Sequence, residues 1–289
     1  MPENSSLKIL MRKNLFLLIC ILFMANCSPQ QDGLNLHNNI APSPTLTSPA
    51  VQTIQPSSTP IPPTSTPELI QTVCSPLEGE SLLSISEIIT QPFKTPRPGN
   101  DDGHQGVDFA FYRRNGRVGI EGLQVLAALE GKVVTILHNR WPYGNAVIIE
   151  TPLSSISAEL KALIQLPAAQ PTIMPDPRVN CPPGELAFSI DTENQSLYLL
   201  YGHLLNQEPL SVGEKVNCGQ LLGTVGNTGY STNPHLHFET RLGPSGARFD
   251  SMAYYTVQST ESERYNYCVW RVSNLFQLFD PMQLLSAQE

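Results

Sequence analysis

Short runs in which apolar and polar residues alternate recur through residues 123–241: LQVLAAL (123–129), KVVTIL (132–137), AVIIET (146–151), LAFSID (186–191), SLYLLYG (196–202) and HLHFETR (235–241). An extended chain turns successive side chains to opposite faces, so a period of two lets one row enter a core while the next faces out. Gly, Pro and Asn separate the runs. This pattern predicts a mostly β domain with antiparallel pairing. Helix is sparse. Residues 157–166 place Leu160, Leu163 and Ile164 at helical spacing, and Asp280-Pro281 reads as an N-cap followed by proline at the first helical position, opening a short helix through Leu285. No repeat or coiled coil is visible.

The first 27 residues read as a targeting segment. Lys8, Arg12 and Lys13 precede an apolar run of ten residues, LFLLICILFM (15–24), too short to span a bilayer and suited to a signal sequence. It ends at Met-Ala-Asn-Cys27, which resembles a lipoprotein processing site and would put a lipid on Cys27. Ordinary secretory cleavage and an uncleaved anchor are the alternatives. Translation could begin at Met1 or Met11. Residues 28–73 read as a linker: positions 41–70 hold eight Pro and eleven Ser or Thr, too little apolar surface for a core. At ~3.1 Å per residue in polyproline II, such a tether reaches roughly 100–140 Å. Residues 74–289 are then the folded domain.

The chain carries a formal net charge of −8. Residues 1–27 contain three basic residues and one acidic one, so the remainder stands at −10. That excess argues against a nucleic-acid partner and against electrostatic adhesion to anionic polymers. Of six cysteines, Cys20 lies in the apolar run and Cys27 at its end. Cys74, Cys181, Cys218 and Cys268 remain, and in an exported domain they predict two disulfides with three possible connectivities. None has the spacing of a cysteine zinc site. The nearness of domain termini favours Cys74 with Cys268 and Cys181 with Cys218.

Four of the six histidines fall in three short motifs: His104 in GHQGVD beside Asp108, His203 in LYLLYGHL, and His235 and His237 in STNPHLHFE. Alternation puts His235, His237 and Glu239 on one face, with Leu236 and Phe238 pointing into a core. The same argument places Tyr201 and His203 on a shared face. Gly103 and Gly106 disfavour a helix around His104, which sits on a loop with Asp108 at a strand start. Three of these side chains suffice for a metal of zinc type, and two imidazoles remain for proton transfer. Glu239 is either a partner that orients a ligand or a solvated strand charge, and Asn145 reads as turn chemistry. His37, in the linker, and His138, in a loop, have no assigned role.

The motifs HQGVD (104–108), VLAALEGKVV (125–134), YGNAVIIE (143–150), YGHL (201–204), GQLLGTVGNTGYSTNPHLHFE (219–239) and FDPMQLL (279–285) resemble, in order, those of the lysostaphin-type (LytM-domain) zinc endopeptidases, which cleave peptidoglycan peptides. The resemblance runs over most of residues 95–285. It implies an antiparallel β-sheet sandwich of the duplicated hybrid motif type with few short helices. It assigns His104, Asp108 and His237 as ligands of Zn2+, and His203 and His235 as the catalytic histidines. Two long extra segments, 151–194 and 243–277, interrupt the pattern without removing a motif residue. They bear on specificity, which loops around a groove usually set.

These readings together predict a monomeric zinc metalloendopeptidase, exported and lipid-anchored at the outer face of the cell membrane, acting on peptidoglycan peptides. A non-catalytic wall scaffold or activator of other wall hydrolases is the alternative, but such domains lack ligands that are all present here. A metal-capturing transport lipoprotein would need a His-rich mobile loop, and none is present.

Overall fold

The computed structural model describes residues 69–168 and 171–287, all within one unit that begins at residue 63. The signal segment, Cys27, His37 and nearly all of the linker lie outside the described residues. Twelve strands follow one another: β1 (Ile89–Gln91), β2 (Val107–Phe109), β3 (Tyr112–Arg114), β4 (Arg117–Gly119), β5 (Gln124–Leu126), β6 (Gly131–Arg140), β7 (Gly144–Pro152), β8 (Asp191–Gln207), β9 (Lys215–Val216), β10 (Leu221–Val225), β11 (Leu236–Ser245) and β12 (Gln277–Phe279). Among the described residues three α-helices accompany them: α1 (Ala158–Ile164), α2 (Glu261–Arg271) and α3 (Pro281–Leu285). No helix among the described residues is long and apolar enough to cross a membrane.

Every pair of the named strands is antiparallel. The main sheet runs β1-β2-β11-β8-β7-β6-β9. β10 joins β8 to β5, β12 pairs with β11, and β3 and β4 form a separate hairpin. The mostly antiparallel β architecture with few helices is therefore as expected. The two short helices read from the sequence are also present. Ser157 caps α1 by accepting from the Leu160 amide, and Asp280 caps α3 by accepting from the Met282 amide.

The central strands are covered on both faces, which is why AVIIE and LYLLY are almost continuously apolar. Val147, Ile149, Leu197, Leu199, Tyr201, Leu236 and Phe238 enter one cluster, which also takes Val125, Leu222 and Val225 from β5 and β10. Ala146, Ile148, Tyr198 and Leu200 enter a second cluster on the opposite face. Full burial of one such side chain contributes roughly 1.5–3 kcal/mol.

The second cluster makes the extra segments part of the core and not only a rim of loops around a groove. Ala247, Phe249, Met252, Tyr267, Val269, Trp270 and Phe276 all come from 243–277 and supply half of its fourteen members. Leu186, Phe188 and Ile190 pack against it from the other segment. The LAFSID run thus keeps its alternation, but it is irregular up to Asp191, where β8 begins. α2 was not expected. Its start is a capping box, with Thr260 accepting from the Glu263 amide and the Glu263 carboxylate accepting from the Thr260 amide. His138 lies exposed in β6 rather than in a loop.

The disulfides are Cys74–Cys218 and Cys181–Cys268, with Cα separations of 5.7 and 5.9 Å. Two disulfides were expected, but the favoured pairing was not this one. Residues 126–128 are the reason for the first bridge. Cys74 donates its amide to Ala128 O, while Gly219 donates to Ala127 O from the other side, so the two flanking segments meet at their cysteines. The second bridge joins the two extra segments to each other.

Candidate metal centre

The β2–β11 ladder sets Asp108 opposite His237. Leu236 and Phe238 alternate with His237 and are fully buried, so the ladder's apolar side fixes the polar side. Asp108 Oδ1 lies 2.8 Å from His237 Nδ1 and 3.1 Å from His104 Nε2. His104 arrives on the loop before β2, held by a bridge to Lys94. A Cβ at Gly106 would lie 2.5 Å from Phe238 O and 2.9 Å from His237 Cε1, so HQGVD needs glycine there for the loop to approach β11.

His203 does not share a face with Tyr201, as strict alternation had suggested. The register between β7 and β8 shifts between Asn145 and Val147, leaving one extra residue on β8, and His203 takes φ +61°. Tyr201 stays in the core, while His203 turns to the histidine cluster, 4.7 Å from the His235 ring and 5.6 Å from the His237 ring between centroids. Asn145 does what a turn residue does: it accepts from the Asn139 amide and donates to Leu204 O. The five residues singled out from the sequence are thus gathered in one place.

Every histidine of the cluster has one ring nitrogen committed to an acceptor. His104 Nδ1 faces Pro92 O at 3.0 Å, His203 Nδ1 faces Thr228 O at 2.8 Å, and His235 Nδ1 faces Asn233 O at 2.8 Å. His237 uses Nε2, 3.1 Å from Glu239 Oε1. An acceptor requires the proton on the nitrogen that faces it, so in each neutral ring the other nitrogen is a lone pair. For His104 and His237 that lone pair abuts the same Asp108 oxygen. Three acceptors in contact demand a proton or a cation between them. Without metal, a proton serves. Burial alone would lower the His237 imidazole, but its bonds to Asp108 and Glu239 raise it to about 9. Burial likewise opposes ionisation of Asp108, yet His104 and His237 hold its carboxyl far below the usual range. His203 is pushed down to about 3 by burial and then by the charges of His237 and His235, so it stays neutral at ordinary pH.

The donor atoms of His104, Asp108 and His237 lie within 4.8 Å of one another, a grouping able to hold a metal ion. Two imidazoles and a carboxylate, each imidazole anchored through its outer nitrogen, form the donor set of hydrolytic zinc sites.

Beneath the site lies a buried ionic layer that the sequence reading largely missed. Glu239 is fully buried and is not a solvated strand charge. Its oxygens accept from the Tyr143 hydroxyl at 2.8 Å, Trp270 Nε1 at 3.1 Å, Arg241 Nε and Nη2 at 3.0 and 2.8 Å, and Arg271 Nη1 at 3.3 Å. Burial opposes its charge, but Arg241, His237 and Arg271 keep it ionised. Arg241 extends the alternation of His235, His237 and Glu239 by one step, so period two carried its signal. Arg241 Nη2 also reaches Gln105 Oε1 at 2.7 Å.

The model of peptidase family M23 matches residues 187–250. Over that span the chain is similar to the lysostaphin-type, M23 peptidase family. His203, His235 and His237 fall inside the matched span, and His104 and Asp108 outside it. Among curated proteins, glycyl-glycine endopeptidase ALE-1 of Staphylococcus capitis is 43% identical over 47 residues, 16% of this chain and 13% of that protein. Lysostaphin of Staphylococcus simulans is 43% identical over 47 residues, 16% of this chain and 10% of that protein. The chain therefore spans only about a tenth of the length of the curated relatives it matches. Among solved structures, the catalytic domain of lysostaphin from Staphylococcus simulans aligns with 71% of this chain and 98% of its own at 20% identity, TM-score 0.35. The catalytic domain of the M23 protein EnpA from Enterococcus faecalis aligns with 55% of this chain and 82% of its own at 21% identity, TM-score 0.31.

Proposed function

We propose that this protein is an M23-type, zinc-dependent endopeptidase that hydrolyses peptide bonds in peptidoglycan. The observation that carries the reading is the anchoring of all four imidazoles through one nitrogen, which leaves the other nitrogens as lone pairs in a cluster around the Asp108 carboxylate. In this reading His104, Asp108 and His237 hold Zn2+. When bound, zinc supplies Lewis-acid polarisation of a carbonyl and acidification of water.

The chain's own groups do the rest. His203 and His235 have their Nδ1 protons engaged with backbone carbonyls, so each presents Nε2 as a fixed acceptor. They orient an attacking water and carry its proton toward the leaving amine. His203, neutral and weakly basic, suits orientation. His235 Nε2, 3.6 Å from Asp108 Oδ1 and with 12% of its side chain exposed, is placed to exchange the proton with solvent.

Full-length protein loaded with zinc tests the reading directly. It should cut purified wall fragments, and products weighed by mass spectrometry from fragments with glycyl bridges, direct crosslinks or stem peptides alone would identify the bond. Zinc-loaded protein that cuts none of the three would overturn it in favour of a wall scaffold.

The same proposal places the domain of residues 74–289 outside the cell, as its two disulfides suggest. It hangs there on the 28–73 tether from a lipid on Cys27. Cys27→Ala should release the protein from membranes or leave an unprocessed precursor. Equal membrane yield and the same mass for both forms would count against the anchor.

A further inference from the structure

We propose that Arg271, supplied by the second extra segment, is a positioning residue that fixes the spacing between the two imidazoles of the metal centre. The inference rests on the reading of His104, Asp108 and His237 as ligands.

Asp108 and His237 are locked by the β2–β11 ladder. His104 precedes that ladder and is tied on one side to Lys94 and Pro92, which leaves its position relative to β11 to a further restraint. Arg271, at the end of α2, reaches both sides. Its Nε donates to Asp101 Oδ1 at 2.6 Å, three residues before His104. Its Nη1 donates to the Tyr143 hydroxyl at 3.1 Å and to Glu239 Oε1 at 3.3 Å. That Glu239 oxygen is the one His237 Nε2 faces. A guanidinium is planar and rigid, so one group sets the distance between the His104 loop and the carboxylate that aims His237.

The rest of the same segment braces the clamp. Tyr255 and Tyr267 donate to Asp101 Oδ2 at 2.5 and 2.7 Å, and Trp270 holds the second oxygen of Glu239. Tyr267 and Trp270 are themselves core residues, so α2 cannot shift without disturbing its packing. Arg241 bridges Gln105 and Glu239 in parallel from the sheet, so loss of Arg271 should weaken the site rather than abolish it. The extra segment is thereby a structural part of the metal centre.

The test measures Zn2+ and Co2+ affinity by chelator competition, together with the visible spectrum of bound Co2+, for the full chain and four variants. Arg271→Met should bind both ions about ten- to a hundredfold more weakly, the usual effect of losing a partner that orients a ligand, and should alter the Co2+ spectrum. Arg271→Lys keeps the charge without the fork and should fall between the two. Arg264→Ala removes a guanidinium from the same helix that binds Ser259 O and Glu261, outside the Asp101 and Glu239 contacts, and should match wild type. Tyr143→Phe deletes one hydroxyl from the Glu239 cage. It should weaken binding several-fold, and it decides the matter if Arg271→Met does not fold. A folded Arg271→Met with wild-type affinity and spectrum, or an unaltered Tyr143→Phe where Arg271→Met fails to fold, overturns the inference alone. A wild-type chain that binds neither ion overturns the ligand reading and this inference with it.

Discussion

Asp108 and His237 are 129 positions apart in the chain, yet their side chains meet at 2.8 Å between Oδ1 and Nδ1. Because the two residues face each other across an antiparallel ladder, the backbone sets the contact rather than a chance of side-chain rotation. Replacing His104, Asp108 or His237 by Ala should therefore remove zinc and, with it, activity. His203→Asn, which suits the left-handed backbone at that position, and His235→Ala should retain about one zinc per chain and lose turnover by ~10²–10⁴-fold, the usual size of an acid–base contribution. Metal analysis against wall-peptide cleavage across the five variants separates the roles. Full activity in the His203 and His235 variants would contradict them.

Gly106→Ala offers a steric test that replaces no ligand residue. The added methyl would press on Phe238 O and the His237 ring, so the loop carrying His104 must move away from β11. Chelator competition should show weaker zinc binding, with the far-UV spectrum of the sheet retained. Unchanged affinity would mean that the loop relaxes without cost.

Bridge mapping is the most direct check on the fold. Non-reducing peptide maps should yield Cys74 joined to Cys218 and Cys181 joined to Cys268, and no Cys74–Cys268 species. Removing either bridge should cost ~2–4 kcal/mol in urea unfolding.

Asp101 should make the protein acid-sensitive in a definite window. Burial raises its carboxyl, but Arg271 and the Tyr255 and Tyr267 hydroxyls outweigh that and bring it below the ordinary value near 3.8. A carboxyl lowered on folding binds fewer protons folded than unfolded. Its stabilisation is complete above the ordinary value and is lost as pH falls through the folded one. Asp101→Asn should lower stability at neutral pH and flatten the loss below pH about 4. A parallel acid limb in wild type and variant would remove Asp101 as its source.

The polar row of β11 was legible because strand alternation is a local rule, and it holds from His235 through Arg241. His203 broke that rule. A bulge depends on the partner strand's register, which no residue of LYLLYGHL announces. The N-cap of α2 was present in Thr260 and Glu263, but the aromatic and β-branched residues that follow are indifferent helix formers, and helix there is decided by burial against Tyr198 and Phe249. The disulfide pairing was hidden for a similar reason. Cys74 and Cys218 meet only because both flank residues 126–128, a relationship made by the fold and absent from spacing.

The bridge between Cys181 and Cys268 makes each extra segment depend on the other. Each extra segment covers apolar surface that the other needs, and each supplies half of a covalent link. A variant that deleted one would expose the aromatic underside of the other and leave an odd thiol. The two segments are thus one interdependent layer, although some fifty residues separate them along the chain.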